Sequence, residues 1–512
     1  MVGISIDEKR KKGHIHPELH SHFIEMLGEC IYDGVWVGEE SEIPNIKGIR
    51  KDFVDAMKAI RPPVIRWPGG CYADTYHWRD GIGPREKRPV VFNENFATYE
   101  LDRNQFGTHE FMELCELVGA KPWLNVNMLS GSVQEMKDWM EYCNRESGTA
   151  LAEERAKNGS KEPFGAELWG IGNEAWCGGG NYTAQSYAAE YRKYATAAPT
   201  FKTSIMEPAK YPIRLIAVGP DGNKPIERKK WTRDLFESLA EYRQPPLHGM
   251  DLHFYNWNIK NPEDTDLDFD QAGWYRVIES CFELEDVIQE QYELIQEGLA
   301  KFPKPEVAEM AAETGCELYI GEWGNWHGNA FLSRPALFQQ VTMRDAVTSA
   351  LTLDIFHRNC DKVSMACVAQ TVNVLNSLFL TKQDKFLKTP NYDVFEMYMV
   401  HRDGELIDAI CDDESNAGKV YTLASVKENI ISLNLVNVSY GDGKDIRIRI
   451  PEGYTYLSGK VLNSEKPQDY NSFENPDHIR AKECAQPVLK EGEWELHIPA
   501  ASVSVLRFIK KK

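Results

Sequence analysis

The sequence of 512 residues predicts an α/β protein, a (β/α)8 TIM barrel followed by a C-terminal β-sandwich that is jelly-roll-like. Two observations indicate this fold. Between about residues 22 and 370, short apolar runs that end abruptly in polar or glycine residues alternate with amphipathic helical patterns. After about residue 385, the pattern changes to β-rich runs that are separated by turn residues instead of helices.

The apolar runs are predicted to be barrel strands because parallel strands buried on both faces lack strict alternation. In chain order they are HFIEMLGE (22–29), PVIRWPGG (63–70), KPWLNVN (121–127), ELWGIGNE (167–174), IRLIAVGP (213–220), GMDLHFYN (249–256), LYIGEW (318–323) and VSMACVAQ (363–370). An apolar stripe at steps of three and four residues from Ile46 to Ile60 is typical of the helices expected between them.

The C-terminal part contains the runs KVYTLASVK, IISLNLVNV, DIRIRI, WELHI and SVSVLRFI. No crossover helix separates these runs, which favours antiparallel pairing. We therefore expect the catalytic barrel over residues 17–385 and the β-sandwich domain over 386–512. The N-terminal segment 1–16 is expected to join the sandwich as an edge strand.

Composition and charge exclude several classes of protein. Lys and Arg number 58 and Asp and Glu 78, so the net charge is 58 − 78 = −20, which argues against binding nucleic acid or an anionic membrane. A hydrophobic content of 42% excludes disorder. The 11 scattered cysteines and the absence of an apolar leader indicate a cytoplasmic protein.

No cofactor and no metal are predicted. The sequence contains no glycine pattern typical of a nicotinamide or phosphate loop. The alternating histidines of HIHPELHSH (14–22) are interrupted by Pro17 and lack a carboxylate or cysteine at the usual ligand spacing.

Side chains at the carboxyl ends of barrel strands converge on one face, where catalytic groups lie. Glu174 and Glu322 are the candidate pair there, because glycoside hydrolysis needs one protonated and one ionised carboxyl group. The other hydrogen-bonding side chains at predicted strand ends are Glu29, Arg66, Asn125, Asn173, His253, Tyr255 and Gln370. Nearby tryptophans fit either a sugar platform or the core; they are Trp67, Trp176, Trp257, Trp323 and Trp326. A strand-end glutamate is equally compatible with a surface ion pair, and Arg66 with a structural one.

Several longer stretches carry a resemblance to a known family. They are FIEMLGECIYDGVWVGE (23–39), IRWPGGCYADTYHWRDGIGPREKRP (65–89), ELWGIGNEAWCGGG (167–180), DLHFYN (251–256), YIGEWGNWH (319–327) and CVAQTVNVL (367–375). Together they resemble the α-L-arabinofuranosidases of glycoside hydrolase family 51. The likeness extends from the first strand to the last, and the following sandwich fits the family's two-domain layout.

The resemblance implies a retaining enzyme in which Glu174 is the general acid/base and Glu322 the nucleophile. The sugar contacts that it implies come from Glu29, Arg66, Asn173, Tyr255 and Gln370. We expect Cys71 and Trp176 to bind substrate as well, although many members have Asn in place of Cys71. Ala175 and Cys177 also depart from the common pattern, and both changes fall on the leaving-group side.

The sequence therefore predicts a cytoplasmic, exo-acting α-L-arabinofuranosidase that removes terminal arabinofuranose from arabinofuranosyl oligosaccharides by double displacement. The resemblance also implies a homo-oligomer, in particular a hexamer. The alternatives are a β-xylosidase or endo-β-glucanase on the same scaffold, or a carbohydrate-binding protein that has lost catalysis.

Overall fold

The computed structural model describes the chain except for residues 98, 99, 205, 206, 304–314, 416 and 512. Eight parallel strands close into a barrel, and the last strand pairs with the first through Cys367 and Ser21. In chain order the barrel strands are Ser21–Phe23, Val64–Trp67, Lys121–Val126, Leu168–Ile171, Arg214–Asp221, Gly249–Asn258, Glu317–His327 and Val363–Val368. Each overlaps one of the predicted runs, so the barrel prediction is confirmed.

Helices surround the barrel. They are Lys51–Ile60, Thr108–Val118, Val133–Asn144, Ala150–Lys157, Ala184–Ala197, Pro225–Ala240, Gln271–Cys281, Glu283–Leu299, Met343–Arg358 and Pro390–Tyr398. The first of them buries Phe53, Met57 and Ile60, which are spaced at one helical turn. None of the helices in the described part of the chain is both long and apolar enough to cross a bilayer.

Ten further strands form a second sheet, which confirms a C-terminal sheet domain. Its strands are Val2–His14, Glu405–Cys411, Val420–Lys427, Ile430–Asn437, Lys444–Arg449, Tyr454–Leu462, Lys482–Glu483, Val488–Lys490, Glu493–Ile498 and Ser502–Lys510. The boundaries at residues 16/17 and 385/386 stay a prediction.

The N-terminal strand lies inside this sheet, not at its edge. Val2–His14 pairs antiparallel with Glu405–Cys411 and parallel with Lys444–Arg449, so the expected edge position is wrong. The reason is hydrophobic: alternate residues Val2, Ile4 and Ile6 are buried in the core of the sheet domain. The predicted C-terminal runs pair antiparallel with one another, as expected.

Candidate active site

Glu322, on the seventh barrel strand, accepts two short hydrogen bonds. Arg66 Nη1 donates to its Oε1 at 2.7 Å, and the Tyr255 hydroxyl donates to its Oε2 at 2.7 Å. Arg66 Nη2 also donates to Asn173 Oδ1 at 2.7 Å. One buried guanidinium therefore orients both Glu322 and the amide that precedes Glu174.

His253 lies between the two candidate carboxyl groups. Its Nδ1 is 3.0 Å from Glu174 Oε1 and 3.6 Å from Glu322 Oε1. Its Nε2 is 3.1 Å from Asp251 Oδ2, and Asp251 is held by the backbone N–H of Gly321 at 2.7 Å. The imidazole thus has a carboxylate at each nitrogen.

Strand geometry brings these groups together. His253 and Tyr255 are two residues apart, so both point to the same side of the sixth strand. His253 is the register partner of Glu322 on the neighbouring strand. Glu174 follows the fourth strand with a φ of 35°, an uncommon backbone conformation for a residue with a side chain.

The pKa values of these groups follow from burial and charge. Burial raises the pKa of Glu174, and the hydrogen bond from His253 lowers it. The negative charge of Glu322 raises it further. Burial lowers the pKa of His253, but Glu322, Asp251 and Glu174 together raise it to about 10. Burial and Glu322 raise the pKa of Tyr255 well above its usual value. At neutral pH the site therefore holds an imidazolium and a neutral phenol, both of which can donate hydrogen bonds to carboxylates.

The acidic residue that reaches the site from the first strand is Glu25, not Glu29. Gln370 Nε2 donates to Glu25 Oε1 at 3.1 Å, and Glu25 is only 3% exposed. A Cβ at Gly70 would lie 2.2 Å from Glu25 Oε2, so the Gly69–Gly70 turn makes room for this carboxyl group. Burial and the charge of Glu322 raise the pKa of Glu25 to about 8.

Glu29 lies outside this cluster, so its expected place among the sugar contacts is corrected. It is half-buried in a separate cavity of about 580 Å³ that Tyr32, Asp33 and Glu100 also line. The physical reason is that the first strand ends at Phe23 and the chain turns away before residue 29. Glu25 stands in the same apolar run, two residues after the strand end, and that spacing is the signal that could have identified it.

Cys71 and Trp176 both lie beside Glu174. Cys71 Sγ is 4.0 Å from Glu174 Oε2, and burial raises the pKa of this thiol, so it is neutral. The Trp176 indole N–H donates to the carbonyl of Gly219 at 3.1 Å, which fixes the half-buried ring between the ends of the fourth and fifth strands.

The tryptophans divide into two groups. Trp67 stacks on Phe111 at 4.9 Å and Trp323 on Phe395 at 6.1 Å, so both belong to the core between barrel and helices. Trp257 and Trp326 stack on each other at 5.6 Å, and Trp326 also contacts Tyr255. This second pair lies on the same side as the nucleophile candidate.

Besides Glu25, two further carboxyl groups of the site were not identified from the sequence. Asp251 anchors His253, as described above. Asp74 is 2% exposed, and neither of its oxygens has a hydrogen-bond partner. Burial and the charge of Glu174 raise the pKa of Asp74 well above its usual value. Asp74 follows the Gly69–Gly70 turn by four residues. Nothing in this stretch of sequence indicates that its carboxyl group is buried.

Glu174, His253 and Glu322 each offer a ligand atom within 4.8 Å of the others, a spacing that a metal ion could also use. The hydrogen bond between His253 and Glu174 and the ion pair between His253 and Glu322 account for the spacing. Asn125, the remaining strand-end amide, donates from Nδ2 to the Gly69 carbonyl at 2.7 Å and so supports the glycine turn.

Comparison with known proteins gives a consistent result. Residues 56–273 match the alpha-L-arabinofuranosidase 1 domain, and residues 321–502 match the alpha-L-arabinofuranosidase C-terminal domain. An intracellular exo-alpha-L-arabinofuranosidase of Bacteroides ovatus is 35% identical over 516 residues, 98% of this chain and 95% of the relative. An alpha-L-arabinofuranosidase C of Emericella nidulans is 31% identical over 408 residues, covering 78% and 74% of the two chains.

Solved structures agree with these relatives. The GH51 arabinofuranosidase from Xanthomonas axonopodis pv. citri superposes with a TM-score of 0.89 at 29% identity, covering 99% of both chains. The α-L-arabinofuranosidase from Thermotoga maritima, in complex with arabinose, superposes with a TM-score of 0.83 at 27% identity, again covering 99% of both chains. The chain belongs to the α-L-arabinofuranosidases of glycoside hydrolase family 51.

Proposed function

We propose that this chain is a retaining, exo-acting α-L-arabinofuranosidase in which Glu322 is the nucleophile and Glu174 the general acid/base. The observation that supports these roles is the spacing of the pair. One carboxyl oxygen of Glu174 lies within 4.8 Å of one carboxyl oxygen of Glu322. Retaining glycosidases hold their carboxyl groups about 5–5.5 Å apart, whereas inverting enzymes need about 6.5–9.5 Å.

In the first step, Glu322 attacks the anomeric carbon and the glycosidic bond breaks. Arg66 and Tyr255 each donate to one oxygen of Glu322, which keeps the carboxylate in a fixed position. The leaving oxygen takes the proton of Glu174, and burial raises the pKa of this carboxyl group, which favours its protonated form. The product of this step is an arabinosyl ester on Glu322.

In the second step, Glu174 acts as a base. Esterification removes the charge of Glu322, which had raised the pKa of Glu174, so the same carboxyl group becomes more acidic. It can then take a proton from the water that attacks the ester and releases arabinose. Two displacements on opposite faces give net retention.

The sugar itself is proposed to bind where buried polar atoms have no partner in the protein. These atoms are Glu25 Oε2, Asn173 Nδ2 and Gln370 Oε1. Buried polar groups are almost always hydrogen-bonded, so a ligand with several hydroxyl groups is the expected partner. Cys71 and Trp176, next to Glu174, are proposed to face the leaving-group side.

The substrates are proposed to be arabinofuranosyl oligosaccharides, in line with the relatives named above. A β-xylosidase or endo-β-glucanase is not favoured, because those relatives named above that match along almost the whole chain, at 27–35% identity, are arabinofuranosidases. A cytoplasmic location is proposed by analogy with the relative described as intracellular. The homo-oligomer, a hexamer by family resemblance, stays a prediction.

Glu174→Ala tests the assignment of roles. We expect the rate on an arabinose oligosaccharide to fall by about 10²–10⁴-fold, because the leaving oxygen then departs without a proton. Dinitrophenyl arabinofuranoside needs no such proton, so its first step should be spared. Azide should accelerate turnover of this substrate and yield arabinofuranosyl azide with retained configuration.

The matched control is Glu153→Ala, which truncates an exposed glutamate on the helix Ala150–Lys157. Both kinds of substrate should be turned over by this variant as by the wild type. Equal losses on both substrates in Glu174→Ala, without azide rescue, would show that Glu174 is not the acid/base.

A further inference from the structure

A second cavity of about 260 Å³ opens beside the acid/base candidate. It lies between the loop after the fourth barrel strand and the helix that follows the fifth. Trp176, Tyr182 and Trp231 contribute aromatic surface to its lining, while Asp221, Lys230 and Asp234 contribute polar groups.

This cavity lies next to the loop that carries Glu174, because Trp176 and Tyr182 of that loop line it. Trp176 is two residues after Glu174, and its ring is fixed by the bond to Gly219. The backbone N–H of Tyr182 donates to the carbonyl of Ala175 at 2.7 Å, so the loop folds back on the residue next to Glu174. The charge of Asp221 acts on both Glu174 and His253. The cavity therefore lies on the side of the site where Glu174 would protonate the leaving group.

The lining is held in place and has the chemistry of a site for a neutral, hydroxyl-rich ligand. Gln185 Nε2 donates to Asp234 at 2.7 Å from one side, and Lys230 pairs with the same carboxylate from the other. Trp231 donates to the Val218 carbonyl at 3.1 Å, which locks its ring. Aromatic faces with a few fixed polar groups are typical of small-ligand pockets. Carboxylates outnumber the single lysine in this lining, which disfavours an anionic ligand.

We infer that this cavity is a distal leaving-group subsite, which binds the sugar beyond the one attached to the departing oxygen of an arabinose oligosaccharide. This inference rests on the proposed function, because it requires Glu174 to be the acid/base. It makes the enzyme selective for chains with at least two sugars in the leaving group. The subsite affects only which substrates bind well. The glycosidic bond that is cleaved and the roles of Glu174 and Glu322 stay as proposed above.

The test compares three substrates: nitrophenyl arabinofuranoside, α-1,5-linked arabinobiose and α-1,5-linked arabinotriose. Only the trisaccharide places a second sugar in the leaving group. For the wild type, we expect kcat/KM to rise by about tenfold from the disaccharide to the trisaccharide, which corresponds to the binding of one further sugar. Tyr182→Ala should remove this advantage and leave the nitrophenyl substrate unaffected within about twofold.

The matched control is Tyr242→Ala, which truncates a tyrosine that is 89% exposed and outside this cavity. It should keep the preference for the trisaccharide. Gln185→Ala is a second variant that acts on the same cavity through a surface side chain, in case Tyr182→Ala does not fold.

The possible failures are distinguishable. A wild type that cleaves nitrophenyl arabinofuranoside but treats disaccharide and trisaccharide alike would overturn the subsite alone. A preference for the trisaccharide that survives both Tyr182→Ala and Gln185→Ala would also overturn it. A wild type without activity on any of these arabinofuranosides would overturn the proposed function and the subsite with it.

Discussion

His253 determines the charge balance between the two carboxyl groups of the site. Its ring contacts Asp251, Glu174 and Glu322, and its pKa is raised to about 10 in spite of burial. A group whose pKa is raised by folding stabilises the protein below its ordinary value of 6.5 and loses this effect as the pH rises towards 10. The imidazolium is therefore present throughout the neutral range, where it opposes the rise in the pKa of Glu174.

His253→Asn should shift the alkaline limb of the pH profile. The hydrogen bond from His253 lowers the pKa of Glu174, so a neutral amide in its place should let that pKa rise. We expect kcat/KM on nitrophenyl arabinofuranoside to decrease overall and its alkaline limb to move to higher pH. His497→Asn, which alters a histidine of the sheet domain, should leave the profile unchanged. An alkaline limb that moves to lower pH would show that His253 does not act on Glu174 in this way.

The sequence was sufficient to predict the residues at strand ends and insufficient for those in loops. Glu174, His253, Tyr255 and Glu322 could be predicted together because parallel strands end on one face of the barrel. Glu25 was missed, because its spacing identifies it only once the end of the first strand is known, and that end depends on pairing with neighbours on both sides. The same limit applied to Asp74, which only the folded glycine turn brings to the site.

Among the elements, the N-terminal strand is the one whose position the sequence predicted least well. Alternation in Val2–His14 indicates a strand, but alternation carries no information about which strands will be its partners. Those partners are more than 390 residues away, at Glu405–Cys411 and Lys444–Arg449. Because both of its edges are paired, this strand connects two parts of the sheet that would otherwise be separate.

The neighbouring isoleucines Ile4 and Ile410 test this arrangement. Ile4 is 2% exposed in the core of the sheet domain, whereas Ile410 on the adjacent strand is 59% exposed. Ile4→Asp places an unpaired charge in the core and should lower the free energy of unfolding by about 3–5 kcal/mol. Ile410→Asp should change it by no more than about 0.5 kcal/mol.

Urea denaturation followed by circular dichroism measures both variants. Equal midpoints for Ile4→Asp and the wild type would contradict the interior position of this strand. A severe loss in Ile410→Asp would contradict the outward orientation of that side chain.

In the whole molecule, the sheet domain packs against helices on the outside of the barrel. Trp274, on the helix Gln271–Cys281, donates to the Val438 carbonyl at 2.9 Å. Asn434 of the sheet donates to Asp354 at 2.7 Å, and the helix Met343–Arg358 that carries Asp354 is buried along almost its whole length. The change of pattern near residue 385 predicted the existence of two parts, whereas their contacts depend on side chains from distant segments.

The barrel as a whole determines the stereochemistry, because it fixes the distance between the carboxyl groups at the ends of its fourth and seventh strands. A pair this close leaves no room for a water on the face opposite the leaving group, so the first attack should come from Glu322. The sugar is then transferred twice, and its anomeric configuration is the same in product and substrate.

Proton NMR of the product formed in the presence of methanol tests this account most directly, because a methyl glycoside does not mutarotate. The wild type, given nitrophenyl α-L-arabinofuranoside and methanol, should form methyl α-L-arabinofuranoside. Formation of the β-anomer would contradict double displacement and with it the assignment of Glu322 as nucleophile.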